Sequence, residues 1–178
     1  MNLEGIHVLL VEDNPGDARL FMELVRDTGA GHLKLENATH LSAALDRLSN
    51  GHFDVVLLDL SLPDEQGLAT LTRTHAHAPN VPIVVLTGLD DEALAVKAVR
   101  AGAQDYLVKG CITEEGLHRV VQNAIERVAF LCKIEEKRRK VERLATIDGL
   151  AALYNRLYLM ERMCGEGNRD KRDDAPLS

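Results

Sequence analysis

The sequence predicts an α/β fold, in which a doubly wound parallel sheet of five strands is followed by an extended C-terminal helix. Short runs of Val, Leu and Ile alternate with segments of helical periodicity over residues 1–128. Near-continuous apolar runs are typical of parallel strands that are buried on both faces. Repeated strand–helix units with short connections favour right-handed crossovers, which place helices on both sides of the sheet.

Each strand is followed by a segment with helix signals. Asn14 is a candidate cap with Pro15 at the first helical position, and Gly29 can end that helix. The strands are predicted over residues 6–11, 33–38, 54–59, 83–86 and 106–109. The next three helices are predicted over residues 41–48, through Leu68 and Leu71, and over residues 91–101.

From Thr113 the pattern stays helical for much longer than in the preceding segments. Apolar residues alternate four and three positions apart, which is a coiled-coil-like pattern. They are Leu117, Val121, Ala124, Val128 and Leu131. The stripe then changes register, and Lys137 takes one inward position. A solvated amphipathic helix and a parallel dimer stalk both fit this pattern, and we favour the stalk.

Composition and charge exclude several classes of function. The formal net charge of −7 argues against general binding to nucleic acid or to an anionic membrane. No segment approaches the length of a transmembrane helix, and the N-terminus lacks the pattern of a signal peptide. The three cysteines have no metal-binding spacing, which favours free thiols in a reducing compartment. We therefore expect a soluble, cytoplasmic protein.

Charged residues stand at the ends of three predicted strands. Glu12 and Asp13 follow the first strand, Asp59 ends the third and Lys109 ends the fifth. Because parallel strands end at one edge of the sheet, these side chains are expected to meet in the crevice where open α/β sheets bind ligands. Clustered carboxylates repel one another unless a cation joins them, and Mg²⁺ is satisfied by one or two carboxylates together with waters.

The residue types at this edge suit phosphoryl transfer. A carboxylate beside Mg²⁺ can attack a phosphoryl group and form an acyl phosphate. The ammonium of Lys109 and the hydroxyl of Thr87 are placed to stabilise the phosphoryl oxygens. No Ser-His-Asp, HExxH or GxxxxGK[ST] pattern competes with this interpretation.

Four segments between residues 3 and 128 carry a family resemblance: VLLVEDNPGDARL, DVVLLDLSLPDEQGL, PIVVLTG and AGAQDYLVKG. With these motifs the chain resembles the receiver domain of two-component response regulators. The resemblance implies the flavodoxin-like strand order 2-1-3-4-5. It assigns phosphorylation to Asp59 and ligation of Mg²⁺ to Glu12, Asp13, Asp59 and the backbone carbonyl of Ser61. The implied phosphodonor is a sensor histidine kinase or a phosphotransfer protein.

The same resemblance implies roles for residues of the fourth and fifth strands. Thr87 matches the switch hydroxyl, Tyr106 the switch aromatic residue and Lys109 the phosphoryl-binding lysine. Gly110 departs from the family, because most receivers have proline after that lysine and a cis peptide before it. The sequence leaves open whether the Lys109–Gly110 peptide is cis or trans.

The C-terminal segment LATIDGLAALYNRLYLMERM resembles the opening of a GGDEF diguanylate cyclase domain, whose entry motif is D-x-L-T-x-L-x-N-R. Five residues match: Asp148, Leu150, Leu153, Asn155 and Arg156. Ala151 and Leu157 depart, and the sequence contains no GG[DE]EF. We therefore expect a receiver domain over 1–128, a coiled-coil-like linker over 129–147, a helix break at Asp148–Gly149, a truncated GGDEF-like helix over 148–164 and a disordered tail over 165–178.

The primary hypothesis is a response regulator that is phosphorylated on Asp59 with Mg²⁺ and is not itself an enzyme. It would signal through the face formed by the fourth helix, fifth strand and fifth helix, and through the C-terminal helix. We expect a homodimer through one of these two surfaces, with neither nucleic acid nor membrane as a partner. The alternative is a regulatory fragment of a response-regulator diguanylate cyclase whose catalytic GGDEF part is missing. A flavodoxin-like small-molecule binder is disfavoured, because the first loop offers carboxylates instead of a glycine-rich phosphate cradle.

Overall fold

The predicted sheet is present, with all five strands parallel. A computed structural model describes residues 5–27, 33–88 and 92–166 of the chain. Its strands are β1 (Ile6–Val11), β2 (Leu33–Ala38), β3 (Val55–Asp59), β4 (Ile83–Thr87) and β5 (Asp105–Val108). They follow the order β2-β1-β3-β4-β5, which confirms the predicted α/β class and topology. The predicted helix end at Gly29 and the helix start at residue 91 lie outside the described residues. Of the predicted disordered tail over 165–178, the first two residues are helical and the rest lie outside the described residues.

Helices connect consecutive strands and extend the chain after the last one. They are α1 (Pro15–Asp27), α2 (Leu41–Asn50), α3 (Leu68–His77), α4 (Glu92–Arg100) and α5 (Glu114–Glu166). A single 3₁₀ turn, Lys109–Cys111, joins β5 to α5. The chain divides into two compact units, residues 1–132 and residues 133–178, and the first contains the whole sheet. Among the described residues, no helix is long and apolar enough to cross a membrane.

The sheet is buried on both faces, because successive side chains of a strand point in opposite directions. On one face, Leu9, Val56 and Leu58 pack with apolar residues of α2, α3 and α4. On the other face, Leu10 and Leu57 pack with apolar residues of α1 and α5. All five residues of β3 are buried. Each such leucine contributes about 2 kcal/mol of hydrophobic stabilisation, so β3 anchors the residue at its end firmly.

The apolar stripe of α5 begins as part of this core. Leu117, Val121 and Ala124 are almost fully buried against the sheet, whereas Leu131 is 54% exposed. The first part of the predicted coiled-coil-like stripe therefore packs within the first compact unit. The stripe becomes solvent-exposed only near the end of that unit.

The predicted helix break at Asp148–Gly149 is wrong, because α5 runs without interruption from Glu114 to Glu166. A glycine in the interior of a helix costs only about 1 kcal/mol relative to alanine. The flanking segments are rich in Leu, Ala, Arg and Glu, which have high helix propensity. Their preference outweighs the penalty of a single Asp-Gly pair.

Two helix starts illustrate local and non-local capping. The side chain of Asn14 accepts the Gly16 N–H at 2.8 Å, which confirms the cap predicted for α1. At α2, by contrast, His40 makes no side-chain cap. The carboxylate of Asp64, in the loop after β3, instead accepts the N–H groups of Leu41 and Ser42, each at 2.9 Å. The cap of α1 therefore comes from the adjacent residue Asn14, whereas the cap of α2 comes from Asp64 in a distant loop.

These hydrogen bonds alter the acidity of Asp64. Desolvation by itself would raise the pKa of its carboxyl, but the hydrogen bonds from Ser42 and Leu41 outweigh it and lower the pKa to about 2. A carboxyl whose pKa is depressed on folding stabilises the fold above its ordinary pKa of 3.8. That contribution is lost as the pH falls through the folded-state value.

We expect Asp64→Ala to lower the free energy of unfolding by about 1 kcal/mol near neutral pH, because α2 loses its cap. The difference from the parent should shrink as the pH falls from about 4 towards 2, where the parent carboxylate becomes protonated. Urea unfolding at several pH values measures both effects. Asp46→Ala removes an exposed acid from α2 and serves as the control. A difference that stays constant down to the lowest pH would contradict the assignment.

Candidate functional site

The predicted site residues converge at the edge where the strands end. Glu12 and Asp13 follow β1, Asp59 is the last residue of β3 and Lys109 follows β5. Oxygen atoms of the three carboxylates lie within 4.8 Å of one another. Glu12 and Asp59 are buried, whereas Asp13 is exposed. The structure thus brings together the acidic cluster that the strand-end pattern predicts.

The ammonium of Lys109 is the centre of an ion-pair network. Its Nζ atom lies 2.6 Å from Oε2 of Glu12, 2.7 Å from Oδ2 of Asp59 and 3.1 Å from Oδ2 of Asp17. An ammonium has three N–H donors, and here three carboxylates lie within 3.1 Å of it. Only 18% of the lysine side chain is exposed, so water contributes little to its solvation.

Sequence reasoning missed Asp17. It lies in the first turn of α1, where an acidic residue is ordinarily explained by the helix dipole. Its contact with Lys109 spans 92 residues of sequence. The only signal in the sequence is that α1 starts just after the Glu12–Asp13 pair, which places its first turn near the same edge.

Burial and pairing shift the pKa values in this network. Desolvation would lower the pKa of Lys109, but hydrogen bonds to Asp59 and Glu12 outweigh it and raise the pKa above its ordinary value. Desolvation raises the pKa of Glu12, and the negative charge of Asp59 adds to this effect, while the hydrogen bond from Lys109 opposes it. The ammonium therefore remains charged at neutral pH, and Glu12 holds a proton more readily than an exposed glutamate.

The donor set fits Mg²⁺. Glu12, Asp13 and Asp59 offer carboxylate oxygens, which are the hard ligands that this ion prefers. With Asp17, this edge carries four carboxylates against the single ammonium of Lys109, so negative charge is in excess. Ser61 follows closely in the chain, and its N–H donates to Oδ1 of Asp59 at 3.0 Å. A divalent cation would relieve the repulsion between these groups.

Thr87 and Tyr106 belong to the two strands beyond β3. Thr87 ends β4 and is buried, and its hydroxyl has no hydrogen-bond partner within the part of the chain that the structure describes. A buried hydroxyl without a partner is costly, and a ligand that accepted its hydrogen bond would relieve this cost. Tyr106 is half-buried in β5 and packs against the core shared by α2, α3 and α4.

The peptide between Lys109 and Gly110 is trans, since the described residues contain no cis peptide bond. Both residues belong to the 3₁₀ turn that precedes α5. The state of this peptide, which the sequence leaves open, is thereby decided.

A comparison with protein families gives one match that covers most of the sheet-containing unit. The family described as "Response regulator receiver domain" matches residues 8–122. This segment contains β2 to β5 completely and all of β1 except the first two residues of that strand. This segment includes every residue of the acidic cluster and Lys109.

Curated proteins with related sequences include two bacterial regulators. The swarming motility regulation protein RssB of Serratia marcescens is 36% identical over 115 residues, which are 65% of this chain and 51% of RssB. The transcriptional regulatory protein BasR of Escherichia coli is 33% identical over 120 residues, covering 67% of this chain and 52% of BasR. The chain thus spans about half the length of these relatives.

Solved structures show the same fold. A putative response regulator from Chloroflexus aurantiacus has a TM-score of 0.60 at 25% identity, over 68% of this chain and 98% of that one. The signal receiver domain of a putative Luxo repressor protein from Vibrio parahaemolyticus has a TM-score of 0.62 at 25% identity, over 74% of this chain and 98% of that one. NtrX from Brucella abortus has a TM-score of 0.65 at 25% identity, over 74% of this chain and 29% of NtrX.

We expect Lys109→Met to lower the free energy of unfolding by about 3 kcal/mol without divalent ions, because buried carboxylates lose their counter-charge. Saturating Mg²⁺ should restore part of this loss, since a cation can replace the missing ammonium. Urea unfolding with and without Mg²⁺ measures the loss of unfolding free energy and its recovery. Lys34→Met removes an exposed ion pair with Glu36 and should cost less than about 1 kcal/mol. Equal losses in the two variants would contradict the role of the buried network.

Proposed function

We propose that this chain, which belongs to the family of response regulator receiver domains, accepts a phosphoryl group on Asp59 in a Mg²⁺-dependent reaction. Aspartate phosphorylation and dependence on Mg²⁺ are general to the family. The observation that carries the assignment to Asp59 is its position among Lys109, Glu12 and Asp13 at the edge of the sheet. We further propose that the phosphodonor is a histidine kinase or a phosphotransfer protein in the cytoplasm.

Residues of the chain itself would orient the reaction. A carboxylate oxygen of Asp59 forms a bond to phosphorus while the bond from phosphorus to the donor breaks, and the donor leaves with that electron pair. Lys109, which already contacts Oδ2 of Asp59, would pair with an oxygen of the transferred group. The unpartnered hydroxyl of Thr87 would donate a hydrogen bond to another.

The metal site uses the same edge. Glu12, Asp13, Asp59 and the backbone carbonyl of Ser61 would hold Mg²⁺. When bound, the ion supplies positive charge that offsets the charge on the phosphoryl oxygens. Ser61 lies next to the carboxylate, since its N–H already donates to Oδ1 of Asp59.

The conformational response to phosphorylation would begin with Thr87 and Tyr106. A hydrogen bond from Thr87 to the phosphoryl group would draw the end of β4 towards Asp59. Tyr106, opposite Val85 in the neighbouring strand, would then repack. We propose that this shifts the population between two arrangements of α4, β5 and α5. Val96 and Val99 of α4 are exposed, which supports a role for this helix in a contact surface.

We also propose that the chain forms a homodimer through α5 or through the face of α4, β5 and α5. Phe130 and Leu131 are 63% and 54% exposed, so two adjacent large apolar side chains of α5 are in contact with solvent. A second copy would cover them, as expected for a coiled-coil-like stripe.

The alternative function, a regulatory fragment of a response-regulator diguanylate cyclase, is favoured by the sequence match around residues 148–156. The 178 residues contain no GG[DE]EF, so we propose that this chain is a phosphoacceptor and has no cyclase activity of its own. Its surplus of acidic residues supports protein partners over nucleic acid.

Incubation with acetyl phosphate and Mg²⁺ should add one phosphoryl group, which intact-mass spectrometry detects and which hydroxylamine removes. Asp59→Asn should abolish the gain, because an amide is not a nucleophile here, and a chelator should abolish it in the parent. Asp46→Asn changes an exposed acid outside the site and should be phosphorylated normally. Labelling that persists in Asp59→Asn, or that proceeds without divalent ions, would overturn the proposal.

For the dimer, Leu131→Glu should convert the chain to a monomer in light-scattering measurements of molar mass, because a charge would be buried in the contact. Lys133→Gln changes an exposed residue that does not share the face of Leu131, and as the control it should leave the mass unchanged. A parent chain that is monomeric both with and without beryllofluoride and Mg²⁺ would refute this part of the proposal.

A further inference from the structure

We propose that Asp64 is a positioning residue for the candidate metal site, because its carboxylate joins the loop between β3 and α3 to the N-terminus of α2. This inference rests on the proposed function, since it takes Ser61 of that loop as a metal ligand. Asp64 itself would touch neither the metal nor the phosphoryl group. It would act through the backbone on both sides of the site.

The loop of residues 60–67 is anchored at its base. The N–H of Gly67 donates to the carbonyl of Leu60 at 2.7 Å, and Ser61 forms an antiparallel bridge with Gln66. Leu60 and Leu62 are buried in the core. Gly67 has a φ of 67°, a left-handed value that glycine adopts without strain as the chain turns into α3. The base of the loop is thus fixed to β3, but this does not fix its tip.

Asp64 fixes the tip. Its Oδ1 accepts the N–H of Leu41 and its Oδ2 accepts the N–H of Ser42, each at 2.9 Å. Two parallel hydrogen bonds from one carboxylate define an orientation as well as a distance. The partners are the first two residues of α2, where unpaired N–H groups and the helix dipole favour a negative charge. The loop is therefore held to a rigid helix more than twenty residues away in sequence.

The start of α2 is also tied to the first acidic loop. The carbonyl of Ala38, which ends β2 just before α2, accepts the N–H of Glu12 at 2.9 Å. The N-terminus of α2 therefore lies between two segments that carry proposed ligands. It is connected to Glu12 through Ala38 and to the loop of Ser61 through Asp64.

This connection matters for Mg²⁺ more than for most ions, because Mg²⁺ requires nearly ideal octahedral geometry with short bonds. A loop that drifts relative to Glu12 would carry the Ser61 carbonyl away from the required position. Outer residues that orient ligands commonly affect metal affinity by about tenfold or more when they are removed. A residue that only stabilised α2 would have no such effect on affinity.

The test is the dissociation constant for Mn²⁺, used as a paramagnetic probe of the Mg²⁺ site and measured by electron paramagnetic resonance on the full chain. We expect Asp64→Ala to weaken Mn²⁺ binding about tenfold. Asp64→Asn retains one side-chain acceptor and should lie between this variant and the parent. Isothermal titration calorimetry with Mg²⁺ should give the same order of affinities for the parent, Asp64→Asn and Asp64→Ala.

Two control variants separate positioning from loss of stability. Glu65→Gln removes the ion pair of the neighbouring residue with Arg73 of α3, which leaves the link to α2 intact. Ile83→Val trims a buried side chain at the start of β4, at the opposite end of the strand from Thr87. Both should bind Mn²⁺ within about twofold of the parent, although Ile83→Val is destabilised.

The outcomes distinguish this inference from the proposed function. An Asp64→Ala protein that binds Mn²⁺ as tightly as the parent would overturn the inference, and so would equal weakening in Ile83→Val. Either result would leave phosphorylation of Asp59 untouched. A parent that neither binds Mn²⁺ nor becomes phosphorylated would overturn the proposed function itself. If Asp64→Ala does not fold, Asp64→Asn decides the question by the same comparison.

Discussion

The ammonium of Lys109, enclosed by three carboxylates, is the interaction on which the functional edge of this protein depends. An amine withdrawn from water must be paired, and the carboxylates around it would otherwise repel one another. Glu12, Asp17 and Asp59 satisfy both requirements at distances of 2.6 to 3.1 Å. They come from the end of β1, the first turn of α1 and the end of β3, so one side chain after β5 holds three parts of the fold together. Negative charge remains in excess, which prepares the site for a cation.

The sheet makes this arrangement possible. Order β2-β1-β3-β4-β5 reverses direction between β1 and β3, and such a switch point opens a crevice at the strand ends. Glu12 and Asp59 flank that crevice because β1 and β3 are paired in parallel, with Val11 beside Leu58. Since β3 is buried along its whole length, Asp59 is presented on a rigid base. The proposed phosphoacceptor is thereby fixed by the core, whereas its ion-pair partner Lys109 comes from the turn after β5.

Loops that carry the proposed metal ligands need supports of their own, and acidic side chains provide them here. Asn14 donates its backbone N–H to Oε1 of Glu12 at 3.0 Å, which leaves Oε2 to Lys109. Asp64 holds the loop after β3 to the start of α2. Both contacts use a carboxylate to satisfy backbone N–H groups next to a helix start, where such groups are otherwise unpaired. The same kind of contact that caps a helix would therefore also order the proposed metal site.

The sequence by itself determined the five parallel strands, the cap at Asn14 and the convergence of the charged strand ends, because strand periodicity and a shared edge follow from local pattern alone. It did not reveal the roles of Asp17 and Asp64, since an acid in a first helical turn or in a loop looks the same with or without a distant partner. It also predicted a break at Asp148–Gly149 that α5 does not contain, because a local penalty of about 1 kcal/mol is small beside the propensity of the flanking residues. Only tertiary structure decided these points, because contacts between residues far apart in the chain depend on where the sheet places the helices and loops.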